Sequence, residues 1–272
     1  MGSGAKRIIT AIVGIPLVIG PMYAGGIWFI LFIALVVAAG QFELYKIQSK
    51  KSWSPASILG IAAGILIVLR SVIDPFQSIL IALLITLFLM VILWGGNGDP
   101  LSRVGEILSG LVYPALFLSF LPIMRNGMEV IVGARDAFGI TLMMFVLIWV
   151  CDSAAYYSGR AFGETPLAPT ISPKKTWEGS IGGVAGAMAA VVGAKYFLFP
   201  ILTWTDVVAF GLIAGVIGQL GDLVESAIKR SVNVKDSGNL LPGHGGVLDR
   251  FDSLTLATPA YYLYLVTCTT YL

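Results

Sequence analysis

Apolar runs broken by short polar or glycine- and proline-bearing stretches fill most of this chain. Nine runs stand out, at about 8–24, 27–45, 57–73, 77–94, 107–124, 137–157, 180–200, 206–228 and 252–271. None alternates apolar and polar positions as a membrane β-strand would. Each approaches the ~20 residues a helix needs to cross a bilayer. Lipid offers no partner to backbone N–H and C=O groups, so only helices or closed barrels span it. The pattern predicts an all-α integral membrane protein of about nine transmembrane helices. The first five fall in residues 1–136 and the last four in 137–272, where two long polar loops, 158–179 and 229–252, interrupt them.

Composition supports that class. Hydrophobic residues make up 57% of the chain and charged residues 12%, against about 25% charged in a soluble domain. A net charge of +2 is too small to draw nucleic acid, and no such partner is expected. Placement of the charges says more. Lys6 and Arg7 precede the first run, which reads as a retained span rather than a cleaved leader. With the N-terminus inside, 13 of the 17 basic residues fall on inward loops and only Arg70, Arg125, Arg135 and Lys195 on outward ends. That asymmetry is the positive-inside pattern. It predicts a multi-pass protein of the cell inner (cytoplasmic) membrane, with the N-terminus in the cytoplasm and the C-terminus outside. Cys151 and Cys268 then lie near opposite faces and are not expected to pair. Gly179, Gly182, Gly183 and Gly186 open the seventh run; close helix packing within the chain and a homodimer interface both fit them.

Polar chemistry concentrates between Gly221 and Ser253, which hold five of the 15 acidic residues, four of the 17 basic ones and the single histidine. Asp222, Glu225, Ser226 and Lys229 share one helix face by their spacing. Asp222 sits inside its run, where an ionised group costs on the order of 2.5–3.5 kcal/mol and normally faces a cavity with a partner. Asp249 and Asp252 stand one turn apart at the start of the last run. They suit either an N-terminal cap or, with the other acids, a hard divalent cation; Mg²⁺ is the natural occupant because it binds through one or two carboxylates plus substrate phosphates. Between the acids lie Lys229, Arg230, Lys235, His244 and the glycines 243, 245 and 246, a set suited to phosphate. His244 reads equally as a structural histidine. In the other loop, Lys174 and Lys175 beside Trp177 are either a positive-inside anchor or a second phosphate-binding wall. Asp152 reads as a third buried acid, a ligand or a group behind one.

The run S-x2-K-R-x4-K-D-x-G-x2-L-P-x-H-G-G-V-x-D-R-F-D, from Ser226 to Asp252, resembles the signature of the phosphatidate cytidylyltransferases, also called CDP-diacylglycerol synthases. The SPKKTWEG run at Ser172 to Gly179 is similar to a second region of that family, and the many-span layout extends the similarity over most of the chain. The resemblance implies a Mg²⁺-dependent reaction of CTP with phosphatidic acid, giving CDP-diacylglycerol and pyrophosphate in phospholipid synthesis. On this reading Asp222, Asp249 and Asp252 hold the metal, and Lys229, Arg230, Lys235, Lys174 and Lys175 meet phosphates. His244 and Arg250 orient the triphosphate or the leaving group, and Ser226, Asp236, Gly245 and Gly246 line the substrate site. Attack by a lipid phosphate oxygen on the α-phosphorus of CTP needs no protein nucleophile, so catalysis would be positioning and charge neutralisation. The site must open to the cytosol and sideways to the bilayer. Nothing in the residues reads cytosine, so the nucleotide is implied by the resemblance alone.

Two rivals share parts of this pattern. Another Mg²⁺-dependent membrane lipid phosphotransferase would use similar carboxylates without the Ser226–Asp252 signature. An ion-coupled secondary transporter would place its acids near the midplane of repeated halves, whereas here they gather at the inner boundary and no repeat is visible.

Overall fold

A computed structural model describes residues 3–49, 55–70, 100–241 and 245–269. The expected span at 77–94 and His244 lie outside the described residues. The described residues of the other eight runs are mostly helical. The helices are α1 (Ser3–Ala24), α2 (Gly26–Ser49), α3 (Pro55–Leu69), α4 (Pro100–Gly110) leading through a π-helical turn (Leu111–Leu116) toward α5 (Phe120–Val132), α6 (Ala134–Phe162), α7 (Trp177–Phe197), α8 (Trp204–Leu212) leading through a second π turn (Ile213–Gly218) into α9 (Gln219–Ser231), and α10 (Leu248–Cys268).

Among the described residues, five helical stretches are long and apolar enough to cross a membrane: Gly26–Gln48, Ser102–Val132, Ala134–Phe162, Trp177–Phe197 and Trp204–Ser231. This is a multi-pass membrane architecture. Ile12–Ala24 and Ser57–Leu69 are shorter apolar helices. The last expected span is a helix of 21 residues but is not one of the five. Thr255, Thr258, Pro259 and three tyrosines dilute it, and the two threonine hydroxyls return to the carbonyls of Phe251 and Leu254 at 2.7 Å.

The loop at 158–179 is not irregular. Helix α6 runs on to Phe162, and β1 (Pro166–Ala168) pairs antiparallel with β2 (Ser172–Thr176) before α7 begins. Thr176 caps α7 by accepting from Gly179 N at 3.2 Å. The Glu178 carboxylate reaches back to the amides of Glu164 and Thr165 at 3.2 and 3.3 Å, which ties the hairpin to the helix end.

The chain divides into two compact units, Met1–Ile123 with Val234–Arg250 and Met124–Asn233 with Phe251–Leu272. In the first, α2 packs on α3 and α4 through polar groups set in an apolar helix. Gln41 Nε2 donates to the carbonyls of Gly60 and Gly110, both at 3.1 Å, and the Tyr45 hydroxyl donates to Ile107 O at 3.2 Å. These bonds satisfy buried groups that water cannot reach.

In the second unit α6 and α7 form the tightest pair. Gly179, Gly183, Ala187 and Val191 are the buried face of α7, and small residues of α6 meet them. A Cβ on Gly183 would lie 3.0 Å from Ala155 Cβ, and one on Gly186 would lie 2.5 Å from Ala154 Cβ. Small residues let the two backbones approach closely enough for dispersion contact without a hydrophobic drive from water, so these glycines serve packing inside the chain. Helix α7 has 21 residues, a rise of roughly 30 Å that matches the hydrocarbon core. Exposed aromatic rings stand near both ends: Trp177 at one, Tyr196 and Trp204 at the other. Rings in those positions suit the two membrane–water boundaries. Helix α10 completes this unit by packing Phe251 against Phe145 and Tyr261 against Phe210.

Candidate active site

Within the second unit, the end of α9 arranges its polar residues as their helical spacing requires. Ser226 Oγ donates to Asp222 Oδ1 at 3.3 Å, and Lys229 Nζ donates to Glu225 Oε2 at 2.7 Å. The Glu225–Lys229 pair is buried, with the Glu225 side chain fully enclosed. Much of the Lys229 charge is therefore directed at Glu225. Asp222 is half-buried, and its other oxygen meets Lys175 Nζ at 2.6 Å. That contact brings the Ser172–Gly179 region onto the acidic helix, through β2. Arg230 is exposed and its Nε donates to Ile171 O at 3.2 Å, a second tie to the hairpin. Lys174 is exposed.

Asp252, on α10, is half-buried and within electrostatic reach of Asp222, Asp152 and Lys229. Asp152 corrects an expectation: it is exposed rather than buried. The buried stripe of α6, which includes Thr141, Met144, Ile148 and Cys151, ends one position before it, and the 100° step of the helix carries Asp152 off that face. Cys151 and Cys268 are both free thiols.

The first unit holds the remaining described part of the signature. Asp249 binds the loop that leads to it: its Oδ2 accepts from Ser237 N at 3.1 Å and from Gly246 N at 2.8 Å. Gly245 has φ +83°, a left-handed backbone that side chains other than glycine adopt at a cost. Gly246 lies so close to Ser237 Oγ and the Glu43 carboxylate that a Cβ there would overlap both. Lys235, Asp236 and Arg250 are exposed.

Glu43, on α2, is the residue sequence reasoning passed over. It is 1% exposed. Its Oε1 accepts from Val247 N at 3.0 Å, and its Oε2 from Leu248 N at 2.9 Å and Ser237 Oγ at 3.2 Å. A signal existed: an acid inside an expected span is itself a functional hint.

The acids suit a hard cation in chemistry. Among the described residues no group of three or more His, Cys, Asp or Glu is arranged to hold a metal ion. Mg²⁺ asks for less, since one or two carboxylates with substrate phosphates and water complete its shell. Asp222 and Asp252 meet that requirement in donor type.

The whole chain has known relatives. A model of the Cytidylyltransferase family matches residues 5–268. A phosphatidate cytidylyltransferase of Synechocystis is 32% identical over 287 residues, covering 96% of each chain. Proteins of the same name from Brucella suis and Bacillus subtilis are 34% identical over 273 residues and 32% identical over 270, covering 97% and 96% of this chain and 94% and 97% of their own. With the match spanning nearly every residue, including both the Ser172–Gly179 and Ser226–Asp252 runs, the chain belongs to the Cytidylyltransferase family.

Proposed function

We propose that this protein transfers the cytidylyl group of CTP to phosphatidic acid, releasing pyrophosphate and leaving CDP-diacylglycerol in the membrane. The observation that carries the reading furthest is the Lys175–Asp222 contact at 2.6 Å. It ties the Ser172–Gly179 run to the helical turn just ahead of the Ser226–Asp252 run and sets a phosphate-seeking cation beside a metal-seeking carboxylate.

A lipid phosphate oxygen attacks the α-phosphorus of CTP, the bond to the bridging oxygen of the β-phosphate breaks, and pyrophosphate departs. The protein's part is to hold the two anionic substrates in line and offset their charge. Lys175 and Lys174 on β2 and Arg230 on α9 are the cations proposed to receive phosphate oxygens. Lys229, bound to Glu225 in a buried pair, sets the field around Asp222 more than it reaches outward. Lys235, Asp236 and Arg250 are exposed on or beside the signature loop, and we assign them, with Gly245, Gly246 and His244, to the triphosphate and its leaving group. Asp222 and Asp252 would hold Mg²⁺, with Asp249 the further ligand implied by the family pattern. When bound, the ion supplies positive charge at the attacking and leaving oxygens. We place the protein in the cytoplasmic membrane with about nine spans, the N-terminus inside and the signature loops facing the cytosol. CTP is met there, and phosphatidic acid enters sideways from the bilayer.

The test is pyrophosphate release by the purified protein in phosphatidic acid micelles. Release that requires CTP, lipid and Mg²⁺ together, stops on chelation and returns with added Mg²⁺, is the expected result. A folded protein that releases no pyrophosphate from CTP under these conditions would overturn the assignment.

A further inference from the structure

We propose that Glu43 is a positioning residue for the signature loop, acting from α2 on the segment that carries Asp249. The inference rests on the cytidylyltransferase reading for its catalytic consequence and on geometry alone for its structural one. The N-terminus of a helix leaves N–H groups without intrahelical partners, and α10 begins at Leu248 with no capping side chain of its own immediately before it: positions 245–247 are Gly, Gly and Val. Glu43 supplies the missing acceptor from another helix, receiving Val247 N at 3.0 Å and Leu248 N at 2.9 Å. Its charge then faces the positive end of α10, where an anion is favoured.

The same carboxylate takes the Ser237 hydroxyl at 3.2 Å, while Asp249 takes the Ser237 amide at 3.1 Å and the Gly246 amide at 2.8 Å. Ser237 is thus clasped by two acids, one on α2 and one on α10. Gly238 and Gly246 make room for the clasp. A Cβ on Gly238 would lie 2.5 Å from Glu43 Oε1, so the loop lies directly against the carboxylate. The exposed Lys235 and Asp236 are two and one residues ahead of the clasped serine, and Asp249 and Arg250 follow the capped helix start. Fixing both ends of this segment fixes where those side chains stand.

Glu43→Gln is a sharp probe because it keeps the shape and replaces one acceptor oxygen with a donor. Whichever way the amide turns, either Val247 N–H or Leu248 N–H loses its acceptor and meets another N–H. Two readouts on the full-length protein in detergent are needed: hydrogen exchange of peptides across 234–250, and pyrophosphate release with CTP and phosphatidic acid. The expected result is faster exchange confined to that segment, with α6–α7 peptides unchanged. Turnover should fall about 10–100-fold, the range for groups that orient a ligand, with KM for phosphatidic acid unchanged. Ser237→Ala, which removes one of the three donors, should move both readouts in the same direction by less, and it decides the matter if Glu43→Gln does not fold. Unchanged exchange across 234–250 would overturn the proposal, and so would faster exchange with full turnover. If the parent protein does not turn over CTP, the function reading fails, while the exchange measurement still decides whether Glu43 holds the loop.

Discussion

Lys175→Met separates a structural from a catalytic role for the contact with Asp222. Methionine approximates the length of the lysine stem and removes the charge. At 2.6 Å two unit charges attract by about 6 kcal/mol with an effective dielectric of ~20. Lys175 and Asp222 are 28% and 29% exposed, so water screens the pair and its net worth to folding is about 1 kcal/mol. A contact to charge developing in a phosphoryl-transfer transition state is larger, about 2.7–4 kcal/mol, or roughly 10²–10³ in rate. The two roles therefore differ in size. If Lys175 receives substrate phosphate, kcat/KM for CTP should fall by about 10²–10³ while thermal stability in detergent drops by only a few degrees. The measurement is steady-state pyrophosphate release beside a melting curve on the same preparation. A kcat/KM within threefold of the parent would refute the reasoning, as would an activity loss that simply tracks unfolding.

Three further outcomes follow from the same geometry. Gly183→Val should lower the stability of the second unit by about 1–3 kcal/mol through overpacking, because even a Cβ placed there would lie 3.0 Å from Ala155 Cβ; the melting temperature should fall, with activity per folded molecule retained at low temperature. Gly245→Ala forces a Cβ into a φ of +83°, which should cost about 1–2 kcal/mol locally and speed hydrogen exchange between residues 237 and 249. Asp249→Asn keeps one acceptor of two, so it should loosen the Ser237–Gly246 loop in exchange experiments as well as reduce turnover; reduced turnover with unchanged exchange would show that the loop bonds seen at 2.8 and 3.1 Å are not what the carboxylate is for.

The helices were legible because lipid permits few alternatives. A run such as 137–157 has to satisfy its backbone internally, and the structure extends it to Ala134–Phe162 where polar ends can still coil in water. The stripe of Asp222, Glu225, Ser226 and Lys229 was legible because helical spacing alone dictates it. The β1–β2 hairpin was not, since Pro166–Ala168 and Ser172–Thr176 are short and carry no apolar alternation; pairing and the Glu178 tie hold them, and neither leaves a periodic trace. Asp152 was misjudged because depth along a span says nothing about which way a residue faces. Glu43 was missed for a different reason. Its partners are two backbone amides and a serine 194 to 205 positions away, and backbone amides have no sequence identity to recognise.

That distance also bears on biosynthesis. The carboxylate of Glu43 leaves the ribosome roughly 200 residues ahead of its donors, an interval of about 10–40 s at ordinary elongation rates. During that time α2 has an acid near its end with none of its three final hydrogen bonds, so the nascent helix is driven to keep that end hydrated at the membrane surface. The arrival of the 237–248 segment relieves this demand. A segment made about 200 residues later therefore settles the final seat of α2, and the acid on α2 waits for the loop that the reaction needs.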